Sequence, residues 1–193
     1  MSLKNIARLA LATALILLVP LVAMQFTKEV AWNADDFVLA GIMLFGTGLA
    51  YQFVAQPGRN RAYRLAVGVA LAAGLLLVWM NLAVGLIGSE NNPLNLLYGG
   101  VLAVAIIGAL IARFRPRGMA RTLFATALAQ AVVPVLALLI GRPPMASQED
   151  VRGILGVLGV NAIFVVLWVG SALLFRRASA TGPASEPVAH AAA

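Results

Sequence analysis

The chain has no cysteine and a single histidine among its 193 residues. Without cysteine there is no disulfide, no thiolate nucleophile, no iron–sulfur cluster and no cysteine-ligated zinc. The one histidine, His190, stands in a stretch of Ala, Pro and Ser. That leaves no set of imidazoles for haem, copper or zinc, so no cofactor and no metal are expected. Charge is also scarce: 11% of residues are charged and 62% are hydrophobic. A soluble domain is about 45–50% apolar and about 25% charged. The composition therefore excludes an ordinary soluble domain and an intrinsically disordered chain. No stretch alternates apolar and polar residues with period two, which excludes a transmembrane barrel.

What is present is long apolar sequence, in six runs near 6–24, 37–55, 63–87, 94–112, 119–140 and 151–175. Each is close to the ~20 residues that a helix needs to cross a bilayer. In hydrocarbon the backbone must satisfy its own hydrogen bonds, so the runs are read as helices. The expected fold is all-α: an integral membrane bundle of six transmembrane helices over residues 1–177. Short connections arrange them as three antiparallel hairpins. Residues 178–193 are small, polar and proline-containing, and are read as a disordered tail. The first run is taken as a span, not a signal peptide, because Leu21-Val22-Ala23 makes a poor cleavage site.

The breaks between runs carry helix-end chemistry. Asn33 with Asp36 three residues on has the spacing of an N-terminal cap. Asn92–Pro93 puts a cap residue before a proline at the first helical position. Ser147 with Asp150 has the capping-box spacing before the sixth helix. Gln56-Pro57-Gly58 and Arg115-Pro116-Arg117-Gly118 are turn sequences.

Formal net charge is +7, from 14 Lys and Arg against 7 Asp and Glu. With the N-terminus in the cytoplasm, 11 of the 14 cations fall on the cytoplasmic side and 3 outside. The 11 are Lys4, Arg8, Arg59, Arg61, Arg64, Arg113, Arg115, Arg117, Arg121, Arg176 and Arg177. The acids divide the other way, with only Glu186 inside. Cytoplasmic loops collect Lys and Arg, so both termini are expected in the cytoplasm. The excess charge then marks orientation, and no nucleic-acid partner is expected. A faint similarity links residues 41–72 with 100–129, aligning Gly41 with Gly100 and Pro57 with Pro116. Apolar hairpins with basic turns resemble one another for topological reasons alone, and that is the preferred account.

The candidate binding set joins three polar side chains inside the runs, Asn81, Gln130 and Asn161, to two acids outside them, Asp36 and Glu90. Asn81 is expected about 10 Å inside the end of the third helix, at 1.5 Å per residue. Glu90 lies in a short connection. Asp36 belongs to an outer rim with Trp32, Asn33 and Asp35, where oxygen ligands suit a hard cation but helix capping and the interfacial belt are the preferred account. Gln130 stands four residues before Pro134, which cannot donate to the carbonyl of residue 130. Gln130 and Asn161 are thus candidates for a polar midplane site, or for hydrogen bonding between helices. No ionisable residue lies at that depth, which argues against proton coupling through the bundle. Gly153, Gly156 and Gly159 make a small-residue face suited to close helix packing, within the chain or in a homo-oligomer. There is no Ser/His/Asp arrangement, HExxH, P-loop or CxxC, so no catalytic residue is assigned.

Residues 37–177 resemble a group of uncharacterised bacterial multi-pass membrane proteins with no assigned activity. The resemblance rests on Trp79-Met80-Asn81, on Ile87-Gly88-Ser89-Glu90-Asn91-Asn92-Pro93, on Ile111 through Arg121 and on Val169 through Arg177. It implies the bacterial cytoplasmic (inner) membrane and brings no mechanism. The expected role is a non-enzymatic scaffold or subunit of a membrane assembly, in contact with lipid and with other helices. The alternative is a small-solute or ion channel or carrier with a polar midplane site. An enzyme would need Asp35, Asp36 and Glu90 to converge.

Overall fold

The computed structural model describes residues 3–56, 59–89, 91–141 and 148–180. Among them there is helix and no strand. Helix α1 is Leu3–Phe26, α2 Ala34–Val54, α3 Arg61–Ala83, α4 Leu97–Ile111, α5 Pro116–Gly141 and α6 Gln148–Ala180. A 3-10 turn, Pro93–Leu96, leads into α4. Counting that turn with α4, six helices are each long and apolar enough to cross a membrane.

The caps follow from local chemistry. Asn33 and Asp36 form a reciprocal capping box at the start of α2. The Asp36 N–H donates to Asn33 Oδ1 at 3.1 Å, and the Asn33 N–H donates to Asp36 Oδ2 at 2.8 Å. Asn60 caps α3 through the Tyr63 N–H at 2.8 Å. Asn92 caps the 3-10 turn, with Pro93 just inside it. Ser147, the expected cap of α6, lies outside the described residues, as do Pro57, Gly58 and the tail from residue 181. Helix α6 continues to Ala180, past the boundary expected at residue 177.

Helix α3 stops at Ala83, four residues short of the run that ends at Ile87. Two glycines in left-handed conformation explain this: Gly85 has φ +69° and Gly88 φ +72°. A Cβ on Gly85 would stand 2.5 Å from the Ser89 carbonyl oxygen. Asn95 holds the resulting loop. Its Oδ1 accepts the N–H groups of Leu86 and Ile87 at 3.1 and 2.9 Å, and its Nδ2 donates to the Ser89 carbonyl at 2.7 Å. Residues 84–89 are apolar enough to read as helix, but one buried asparagine satisfies their backbone in another conformation.

Helix α4 ends in a Schellman arrangement. The Phe114 N–H donates to the Ala109 carbonyl at 3.2 Å, and the Arg113 N–H to that of Leu110 at 3.0 Å. Glycine usually fills the left-handed position of this motif. Here Arg113 (φ 47°) and Phe114 (φ 56°) occupy it, at a cost of about 1 kcal/mol or more each. Tyr63 helps to hold the turn, its hydroxyl donating to the Phe114 carbonyl at 2.7 Å.

Packing is uneven. Helix α6 packs most extensively on α5 and then on α3, and α4 lies on α5. Close approach of α4 and α5 needs Gly108, where a Cβ would come within 2.5 Å of the Thr122 methyl group. The Ser171 hydroxyl of α6 donates to the Ala66 carbonyl of α3 at 2.7 Å. By contrast, α1 buries only Thr13 and α2 only Ala40. The first two helices lean on each other, with Gly48 facing Leu9, and α2 touches α3.

One end of the molecule gathers cations. The Asn60 side chain donates to the Ala178 carbonyl at 2.9 Å, and the rings of Tyr63 and Phe175 meet edge to face at 5.1 Å. These contacts, with the Tyr63–Phe114 bond, bring the start of α3, the α4–α5 turn and the end of α6 together. Asn5 of α1 shares a recess with Gln56 and Arg64 at this same end. The guanidinium of Arg59 lies over the Tyr63 ring, 4.4 Å from its centre.

Candidate functional site

The largest fully buried side chains include Trp168, Tyr98, Gln130 and Asn161. Three helices contribute them: Tyr98 comes from α4, Gln130 from α5, and Asn161 and Trp168 from α6. They form one hydrogen-bonded knot. Asn161 Oδ1 accepts twice, from the Tyr98 hydroxyl at 3.0 Å and from Gln130 Nε2 at 2.8 Å. Asn161 Nδ2 donates to the Val157 carbonyl of its own helix at 2.8 Å. The Trp168 indole N–H reaches Gln130 Oε1 at 3.4 Å, the longest of the four.

Local sequence explains why these groups meet. Residues 161 and 168 are seven apart, two helical turns, and so share one face of α6. Residues 126 and 130 are one turn apart on α5; Thr126 is fully buried and donates to the Thr122 carbonyl at 2.9 Å. Surrounding the polar groups are Val101, Ala127, Val133 and Phe164, all buried. In such a setting an unpaired amide would cost several kcal/mol, of the order of ~2–7. Each of the four side chains instead finds a partner, and the knot is neutral throughout.

Of the five candidate residues, the structure brings together Gln130 and Asn161. Asn81 goes elsewhere: its Nδ2 donates to the Asn95 carbonyl at 3.3 Å, while its buried Oδ1 has no hydrogen-bond partner. Since α3 ends at Ala83, Asn81 belongs to the last turn of the helix, not to a position 10 Å inside it. Asp36 is half-buried and engaged in the α2 capping box. Glu90 lies outside the described residues. Among those residues no three His, Cys, Asp or Glu side chains stand close enough to hold a metal ion.

The glycine face of α6 is open. A Cβ on Gly153, Gly156 or Gly159 would meet no atom of the described residues within 4 Å, so among those residues these glycines mediate no close packing. Gly153 and Gly156 instead line a recess of about 590 Å³ with Pro134, Val157 and the 84–88 loop.

Sequence reading missed Tyr98, Trp168 and Asn95 as organising residues. Tyr98, near the start of its run, reads as an interfacial anchor, Trp168 as one more apolar residue within its span, and an asparagine near a turn as a cap. The usable signal is the seven-residue spacing from Asn161 to Trp168.

No protein-family model, curated protein or solved structure matches this chain. Its function must therefore be argued from its own residues.

Proposed function

We propose that this chain is a non-enzymatic scaffold or subunit of a membrane assembly, in the bacterial cytoplasmic membrane with both termini inside. One observation carries the reading: the mid-depth polar side chains bond to one another. A carrier with a polar midplane site needs such groups turned toward a cavity, and needs Asn81 with them. Gln130 and Asn161 serve instead to lock α4, α5 and α6 together, the role polar residues play between membrane helices. Among the described residues no Asp, Glu, Lys, Arg or His stands in the knot with them, the groups that usually couple such a site to protons or ions.

Two further features support a packing role. The open glycine face of α6 accepts a close-approaching helix. Helices α1 and α2 turn nearly all their surface outward, to lipid or to another subunit. The N-in, C-in orientation follows from the gathering of arginines at one end.

Purification in native lipid followed by mass spectrometry tests the role. A stoichiometric membrane-protein partner, or a second copy of the chain, is the expected result. A stoichiometric small molecule without any protein partner would overturn it. Orientation is tested by single cysteines placed in this cysteine-free chain. A cysteine at residue 117 is expected to react only from the cytoplasmic side, and labelling from outside refutes the orientation.

A further inference from the structure

Between α2, α3 and α4 runs a sideways-open groove of about 480 Å³, inside the ~300–1,000 Å³ range of small-molecule sites. Its wall is almost wholly apolar, built from residues such as Leu71, Gly74, Ala105 and Phe114, with Trp168 also lining it. The groove exists because α3 and α4 barely touch and α2 rests mainly on α3 for support from the core. Trp168 is therefore shared: its indole N–H faces Gln130, and its ring faces the groove.

The two ends of the groove differ. One closes on Phe114, whose ring meets Phe53 edge to face at 6.4 Å. Phe114 belongs to the left-handed turn that the Tyr63 hydroxyl pins. This geometry sets Phe114 in the groove wall and leaves its neighbours, Arg113 and Arg115, exposed. The acidic side chains whose surroundings are described, Glu29, Asp35 and Asp36, lie at the opposite end of the first two helices. An apolar slot that closes on Phe114, with the exposed Arg113 and Arg115 on either side of that residue in the chain, suits a bilayer molecule that joins an apolar tail to an anionic head.

We propose that this groove binds an anionic glycerophospholipid, one acyl chain lying along α3 and the phosphate held by Arg113 and Arg115. The apolar wall accepts the chain of any phospholipid. Both headgroups offer a phosphate to the two parallel N–H donors of a guanidinium, but the choline cation of a zwitterionic lipid is repelled by the two arginines, so they select for net negative charge. This goes beyond a packing role, and it does not depend on which protein partner the chain has.

The test uses the full-length chain with Trp32→Phe and Trp79→Phe, which leaves Trp168 as the sole tryptophan. It is reconstituted in mixtures of phosphatidylglycerol and phosphatidylcholine in which one or the other carries brominated chains. Quenching of Trp168 is expected to favour phosphatidylglycerol roughly five-fold or more, the size of effect that a cation near an anionic headgroup gives. Equal quenching by the two lipids overturns the proposal, whatever the variants below do. Arg113→Gln with Arg115→Gln is expected to bring the ratio close to one; an unchanged ratio refutes the arginine assignment. Ala105→Phe fills the groove and is expected to reduce quenching by both lipids. Unchanged quenching in that variant places the chain outside the groove and refutes its location.

Discussion

Helices α1 and α2, like α3 to α6, are long and apolar enough to cross a membrane, yet the two groups are built differently. The first pair buries one residue per helix, a threonine and an alanine. The later four share the buried Tyr63, Tyr98, Gln130, Asn161, Trp168 and Ser171. Apolar length decides whether a helix enters a bilayer, but not which helix it will pack against. Lipid is as apolar as leucine, so association needs small residues and hydrogen bonds. The α3–α6 group has both, in Gly108 against Thr122, in Ser171 on the α3 backbone and in the four-residue knot. The α1–α2 pair has Gly48 against Leu9.

That contrast is most exposed to Asn161→Leu. The change keeps the number and branching of side-chain heavy atoms, but it leaves the Tyr98 hydroxyl and Gln130 Nε2 without their shared acceptor. Each orphaned buried donor costs about 1–3 kcal/mol, so a loss of about 2–4 kcal/mol is expected by reversible unfolding in mixed micelles. A loss under about 0.5 kcal/mol would mean that the knot does not hold the core, and the contrast would collapse.

A smaller effect is expected at the basic end. Tyr63→Phe removes the hydrogen bond to the Phe114 carbonyl while keeping the ring against Phe175. A loss of about 1 kcal/mol is expected from the same measurement. Hydrogen exchange at the α4–α5 turn should rise in parallel, since the left-handed Arg113–Phe114 pair loses its tether. No change at the turn would show that the Schellman bonds hold it alone.

The smallest effect belongs to the first pair. Leu15 is 56% exposed, and Leu15→Ala is expected to shift stability by less than about 0.5 kcal/mol. A loss of 2 kcal/mol or more, typical of a leucine truncated in a packed core, would show that α1 belongs to the same cooperative unit as α3–α6.

Much of the architecture was legible in the sequence. Six apolar runs became six helices, because hydrocarbon tolerates no other local backbone. The Asn33–Asp36 box and the Asn92–Pro93 cap were readable as well, since both depend on residues a few positions apart. The end of α3 was not. Its loop depends on Asn95, about ten residues downstream, reaching back to Leu86, Ile87 and Ser89. The left-handed turn at Arg113 was equally hidden, because it carries arginine where glycine is usual and is held by Tyr63 from another helix. Among the candidate residues, Gln130 and Asn161 could be singled out as polar residues at depth, but not as partners of each other, of Tyr98 and of Trp168.

By itself, then, the sequence determined how many long apolar helices there are, where the caps at Asn33 and Asn92 lie and which end is basic. Those properties follow from composition and from contacts within one or two helical turns. Only the tertiary structure decided which helices form the core, where the polar side chains find partners and which apolar surface remains open as a groove. In lipid those choices rest on a handful of hydrogen bonds and close approaches between residues 31 to 105 positions apart, and no local pattern records them.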